Sequence, residues 1–501
     1  MPATAPLIKA LSPQYLRQYV ACPVAVEGTT VTVACADPTD PLLVDDLRLF
    51  LGSDVRLCRA PAAAILETIT RTYEGGTALQ KIVDGIGPAD PAGGAAVEAA
   101  PDDVTLLRDM ALEAPVVRLV NLLIDEAVGA DASDIHVEPF EESLRVRYRI
   151  DGLLYDQEAP PRRLQAAVTS RIKIMAEMNI AERRLPQDGR IRLTARGRRV
   201  DIRVSTVPTI HGESIVMRLL DRSSMFLTFD RLGLARGPAE ALESLIRRPH
   251  GMVLVTGPTG SGKTTTLYAA LDKINAADTK IITTEDPVEY QIKGINQIPV
   301  KASIGLTFAS SLRSILRQDP DVVMVGEIRD LETAEIAVQA ALTGHLVFST
   351  LHTNDACGAV ARLIDMGAEP YLLSSVLEGV LAQRLLRRIC QQCRTRHRPD
   401  PAELLGLGVS AEEAQGVELY RGAGCEACRG TGYKGRTGIY ELLAVTEEVR
   451  SLVLKRASSG EIRRLAQQTA GLVTLREDGW EKAKAGVTTL EEVLSATQDD
   501  D

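Results

Sequence analysis

A chain of 501 residues, 45% hydrophobic and 25% charged, has the composition of a globular protein and room for about three domains. Its formal net charge of −10 and its 4% aromatic content count against a protein that stacks many bases. No apolar run approaches the ~20 residues of a bilayer span. The start, MPATAPLIKALSPQY, lacks the charged head and long apolar core of a signal peptide, so a cytoplasmic location is expected.

Residues 1–75 read as a small α+β domain. TVTVACADP alternates like a strand and ends in a turn signal, and DPLLVDDLRLFLG spaces its apolar residues like a helix. A flexible linker is expected over 76–104. Its stretch 85–103, GIGPADPAGGAAVEAAPDD, is too poor in large apolar side chains to build a core. A β-rich domain spans 105–225, opening with the helix APVVRLVNLLIDEAV. LRVRYRIDG then alternates Leu144, Val146, Tyr148 and Ile150 with Arg145, Arg147 and Arg149, so the apolar set faces a core and the arginines face away. VDIRVSTVP repeats the device with Arg203, and SIVMRLLD carries Arg218.

Over 226–384 the pattern becomes strand, loop, helix, repeated, with MVLVT, KIITT, VVMV and LVFST as candidate strands. That is an α/β domain whose largely parallel sheet is covered by helices. A cysteine-bearing module at 385–440 and a helical segment at 441–501 close the chain.

GMVLVTGPTGSGKTTT places G-x-x-x-x-G-K-T between an apolar strand and a helix, the context of a phosphate-binding loop. Gly257, Pro258, Thr259, Gly260, Ser261 and Gly262 wrap phosphates with backbone N–H groups. Lys263 reaches the β- and γ-phosphates, and the Thr264 hydroxyl ligates Mg²⁺. Glu285, Asp286 and Glu289 lie where a second strand ends, and Glu327 where a third ends, VVMVGE. His345 and His352 flank a fourth strand and are candidates for a γ-phosphate role. Arg313 and Arg317, four apart, share a helix face. With Arg203 and Arg218 they are candidates to neutralise a transferring phosphoryl group. The pairs C-x₂-C at Cys390 and Cys393 and at Cys425 and Cys428 suit a four-thiolate structural Zn²⁺.

Taken together, several stretches resemble one family: GPTGSGKTTT, TTEDPVEYQIKGINQIPV, LRSILRQDPDVVMVGEIRDLETAEIAVQAALTGHLVFSTLHTNDA, the CQQC and CEAC pairs, ASDIHVEP and LPQDGRI. These are the secretion ATPases of type II secretion systems and type IV pilus assembly. The resemblance runs from about residue 105 to the C-terminus. It implies a RecA-like P-loop ATPase domain behind a PAS-like α+β domain, a small N-terminal α+β domain and a tetracysteine zinc module, working as a homohexamer with ATP, Mg²⁺ and Zn²⁺. It implies that Glu285 belongs to the family's aspartate box, Glu327 to its variant Walker B, and His345 and His352 to its histidine box. Arg203 and Arg218 match arginines that close over nucleotide. Arg313 and Arg317 match arginines near the phosphates, and Arg436 is a weaker match beside the zinc module.

The implied activity is hydrolysis of ATP to ADP and phosphate to power pseudopilus assembly and protein export by type II secretion. Extension of a type IV pilus is the alternative, and a hexameric nucleic-acid motor is disfavoured by charge. The implied partners are a bitopic inner-membrane secretion protein, bound through the N-terminal domain, and a polytopic inner-membrane platform protein, without nucleic acid. The chain would then be peripheral at the inner membrane. Glu327 is expected to reach Mg²⁺ and Glu285 to orient or deprotonate the attacking water, although the two carboxylates can exchange these roles.

Overall fold

The computed structural model describes residues 104–221, 228–399 and 417–497 continuously, together with residue 404 and parts of 15–83. The linker stretch 85–103 lies outside the described residues. The chain divides into two compact units, Met1–Leu220 and Asp221–Asp501.

In the first unit, β1 (Ala21–Glu27), β2 (Thr30–Cys35) and β3 (Asp54–Arg59) form a small sheet in the order β1-β2-β3. The alternation of TVTVAC buries Val31 and Val33 against Leu16, Leu43, Leu47, Ile65 and Ile69. Of the helix expected in DPLLVDDLRLFLG, the described residues 43–44 and 46–48 are helical. Leu79 and Val83 fall inside the span expected to be a linker, yet both are buried in the core of the next sheet. Their four-residue spacing puts them on one helix face, which an all-polar linker would not offer.

That sheet has six strands in the order β6-β5-β4-β9-β8-β7. They are β4 (Asp134–Pro139), β5 (Leu144–Ile150), β6 (Leu153–Gln157), β7 (Gln187–Ala195), β8 (Arg198–Thr209) and β9 (Gly212–Asp221). Leu144, Val146 and Tyr148 are buried with Ile202, Val204, Ile215 and Met217 under the helices Ala114–Gly129 and Gln165–Met175. The arginines of β5 face away, as the alternation requires: Arg147 pairs with Glu138 at 2.7 Å and Arg145 with Asp156 at 2.5 Å.

The second unit is built on seven strands in the order β12-β11-β13-β14-β10-β15-β18. These are β10 (Gly251–Thr256), β11 (Ile281–Glu285), β12 (Asn296–Pro299), β13 (Val322–Val325), β14 (Leu346–Leu351), β15 (Leu377–Ile389) and β18 (Tyr433–Ala444). All neighbours are parallel except β15 and β18. The central strands are apolar throughout because both faces are covered. Met252, Leu254, Val323, Val325 and Val347 enter one core, and Val253, Val255, Val322, Met324 and Phe348 enter the other. The four strands read from the sequence are β10, β11, β13 and β14. β15 runs through the 384/385 border and β18 through the 440/441 border drawn there. The cysteine module, with its two-stranded sheet of β16 (Arg394–His397) and β17 (Leu419–Gly422), therefore grows out of the main sheet.

Candidate active site

Parallel pairing aligns the carboxyl ends of the strands: Thr256 lies beside Leu351 of β14 and Ala382 of β15, and Val325 beside Thr284 of β11. Ligands of open α/β sheets gather at this edge. The loop after β10 needs glycine at 257 and 262. Their φ values are 146° and 90°, and a Cβ at 257 would meet the Gln383 carbonyl oxygen at 2.5 Å. Lys263 opens the helix Lys263–Ile274 and donates to the carbonyls of Gly257 at 2.7 Å and Pro258 at 3.1 Å. Burial lowers its pKa to about 8, opposed by the Glu327 carboxylate and aided by the Arg384 guanidinium. Thr264 follows on the same first turn, half-buried. Gly260 is exposed at the loop tip with Pro258 and Thr259, while Ser261 is buried.

Glu327 leaves the end of β13 beside this lysine. Its side chain is 14% exposed, with Oε1 2.5 Å from Arg329 Nη2 and Oε2 3.4 Å from His352 Nε2. Gly326 explains why a glycine precedes it. A Cβ there would press on the Thr284 carbonyl at 3.2 Å and Phe308 at 3.3 Å, so a bare backbone lets β13 end this close to β11 without displacing them. The Gly326 N–H donates to Thr284 O at 2.8 Å, and the Thr350 hydroxyl donates to Gly326 O at 2.7 Å.

Glu285 ends β11 but is only 3% exposed. One of its oxygens accepts from Tyr268, the other from Thr283 and, at 3.1 Å, from Gln297. Both oxygens are therefore engaged inside the fold, which disfavours the expectation that this carboxylate faces the attacking water.

The two histidines part company. His352 follows β14 at the phosphate edge, whereas His345 precedes it. The His345 carbonyl accepts from Gly251 N at the start of β10, and its Nδ1 lies 2.9 Å from Ala340 O. Six residues of strand separate it from the P-loop edge, roughly 20 Å. The two histidines flank β14 as expected, but only His352 stands at its carboxyl end beside the P-loop, and His345 stands at the opposite end.

Arg313, on the helix Phe308–Ile315, pairs with Glu332 at 2.6 Å, and Arg317, in the turn after that helix, folds onto the Arg313 carbonyl at 2.9 Å; both are exposed. In the first unit, Arg218 on β9 holds Asp134 at 3.0 Å, and Arg203 on β8 stands directly opposite Arg190 on β7. Arg436 is exposed on β18 opposite Arg387.

Three residues at the phosphate edge were missed. Arg329 pairs with Glu327. Gln383 donates to the Ser261 carbonyl at 2.6 Å, and Arg384 donates to Asn354 Oδ1 at 3.1 Å. The signal for the last two was the polar pair QR interrupting the apolar run LEGVLAQRLL of an unrecognised strand.

The four cysteines of the module converge, with all their sulfurs within 4.8 Å of one another. Cys390 to Cys425 and Cys393 to Cys428 are 3.8 Å, and Cys425 to Cys428 is 3.7 Å. A tetrahedral ion about 2.3 Å from each sulfur requires sulfurs ~3.8 Å apart, so these residues fit a metal ion. Against the opposing effect of burial, the N–H groups of Cys425 and Gly432 pull the Cys428 thiol down to about 6.

Comparison with known proteins agrees with this geometry. Residues 109–495 match the family model "Type II/IV secretion system protein", and residues 1–79 match the MshEN domain. The Type II secretion system protein E of Xanthomonas campestris pv. campestris is 51% identical over 99% of this chain and 86% of its own length. The type IV pilus assembly ATPase PilB of Myxococcus xanthus is 46% identical over 99% and 87%. The crystal structure of the pilus retraction motor PilT with bound ADP superposes with a TM-score of 0.51 at 29% identity, covering 75% of this chain and 96% of that one. With the family model covering more than three-quarters of its length, the chain belongs to the type II/IV secretion system protein family of secretion ATPases.

Proposed function

We propose that this chain is the ATPase motor of a type II secretion system, a homohexamer whose ATP hydrolysis drives pseudopilus assembly and protein export. The observation that carries the reading is the convergence of Lys263, Glu327 and His352 at one sheet edge, in a chain 51% identical to a type II secretion system protein E. The P-loop N–H groups and Lys263 would hold the β- and γ-phosphates. Thr264 and Glu327 are the residues that would hold Mg²⁺, which when bound neutralises charge on the phosphates. Water attacks the γ-phosphorus, the bond to the ADP oxygen breaks, and Glu327 orients the water and accepts its proton. Glu285 instead positions the helix Lys263–Ile274 through Tyr268.

Arg203, Arg218, Arg313 and Arg317 point to guanidinium charge brought to the γ-phosphate in the assembled ring, and the same assembly is the place where His345 would act. The cysteine quartet would hold a structural Zn²⁺, leaving no open coordination position for catalysis. Residues 1–75 would dock on the bitopic inner-membrane partner, so the chain would work at the cytoplasmic face of that membrane beside the platform protein. No helix among the described residues is long and apolar enough to cross a membrane.

A second reading, extension of a type IV pilus, is favoured by the 46% identity to PilB over nearly the whole chain. Complementation of deletion strains separates the two. The wild-type chain is expected to restore export of a secreted enzyme and not surface piliation. Lys263→Ala and Glu327→Gln are expected to restore neither, and export with both variants would show that hydrolysis is not the function.

A further inference from the structure

Gln383 is 1% exposed on β15, directly after the residue that pairs with Thr256. It touches the phosphate loop at both ends. Its backbone carbonyl limits position 257 to glycine, and its Nε2 lies 3.1 Å from where a Cβ of residue 262 would sit. The same Nε2 donates to the Ser261 carbonyl at 2.6 Å, a contact between residues 122 positions apart. A carbonyl pinned inward turns the N–H of the same trans peptide unit, that of Gly262, toward the opposite side, where the phosphates would lie. Two further polar atoms are buried in this contact without a hydrogen-bond partner among the described residues: Gln383 Oε1 and the Ser261 hydroxyl. One is an acceptor and the other a donor, on residues already joined by one hydrogen bond.

We propose that Gln383 is a positioning residue of the phosphate loop. It holds the Ser261 carbonyl inward and receives the Ser261 hydroxyl on Oε1 when the loop closes on phosphate, so ATP affinity depends on it. This rests on the P-loop reading of residues 257–264, which Lys263→Ala tests separately by abolishing nucleotide binding altogether.

The test uses full-length protein with two near-isosteric variants, Gln383→Met, which removes both polar atoms, and Gln383→Glu, which removes the donor. The expected result is an ATP KM and a fluorescent-ATP Kd raised about tenfold, the scale of one lost buried hydrogen bond, with kcat at saturating ATP within about threefold of wild type. The melting temperature without nucleotide should stay near wild type, while the increase conferred by ATP shrinks. Ser261→Ala should weaken ATP binding in the wild-type background and add nothing in the Gln383→Met background. Unchanged KM and Kd in both variants would overturn the proposal, as would a loss of kcat alone or independent, additive effects of Ser261→Ala and Gln383→Met.

Discussion

His352 Nε2 lies 3.4 Å from Glu327 Oε2, joining the end of β14 to the end of β13 beside Lys263. The histidine is 48% exposed and the carboxylate 14%, so the imidazole roofs a largely sheltered acid. If Glu327 handles the attacking water, Glu327→Gln should keep the shape of the site and lower kcat by about 10²-fold or more. ATP should still bind. His352→Ala should lower kcat by about tenfold, because it acts through the carboxylate, and should cost little more in the Glu327→Gln background. Single-turnover hydrolysis and nucleotide binding on the same preparations check this. Independent, multiplicative losses would show that His352 does not act through Glu327.

Gly326 sets where that carboxylate stands. With no positive φ at this position, its role is the close approach to Thr284 O, Phe308 and the Glu285 backbone. Gly326→Ala requires those neighbours to yield by a few tenths of an ångström, at a cost of about 1–2 kcal/mol. The activity loss should be larger than the stability loss, because Glu327 is carried off its mark. A variant with wild-type kcat and an unchanged melting temperature would mean the strands part at no cost.

The metal module makes a separate prediction. Freshly purified protein should carry about one zinc per chain by elemental analysis. Removal by a strong chelator should make Cys390, Cys393, Cys425 and Cys428 reactive to a thiol reagent together. Ile389 N donates to Val487 O, and Arg387 is clasped by Glu492 at 2.6 Å, so the helical tail rests on the strand that leads into the cysteines. Metal loss should therefore raise protease sensitivity in the tail as well as in the module. Cys390→Ser should do the same. Metal-free protein with an unaltered digestion pattern would separate the two.

The phosphate edge was legible where chemistry and sequence coincide. β10, β11, β13 and β14 all read as strands, and the glycines of the P-loop motif, Gly257, Gly260 and Gly262, all adopt positive φ. What sequence left unread depends on strand direction and distant partners. His345 and His352 flank one strand, but only its carboxyl end lies beside the P-loop. Glu285 looks like a second catalytic acid until Tyr268 and Gln297, from other segments, close over it. Arg313 and Arg317 are expected to share a helix face, but the helix ends at Ile315, so Arg313 pairs with Glu332 while Arg317 sits in the following turn and donates to the Arg313 carbonyl. Gln383 and Arg384 were missed because they belong to an unrecognised strand whose polar residues are buried against distant segments, Gln383 against Ser261 and Arg384 against Asn354.

In the first unit, Lys173 and Glu213 form an ion pair at 2.7 Å with side chains 1% and 6% exposed. Lys173 also donates to the Glu182 carbonyl at 2.6 Å. The Gln187 amide donates to the same carbonyl at 2.8 Å, so the pair pins the loop that leads into LPQDGRI. A buried charge left without its partner costs about 3–5 kcal/mol, whereas replacing both by apolar groups of similar volume is close to neutral. Lys173→Met alone should therefore lower the denaturant midpoint sharply, because it strands the Glu213 carboxylate. Lys173→Met with Glu213→Leu should recover more than half of that loss, since Gln187 still serves the Glu182 carbonyl. Chemical denaturation of the two variants beside wild type decides the matter. Equal destabilisation by the single and double changes would mean that the lysine acts through the loop carbonyl and not through its ion pair.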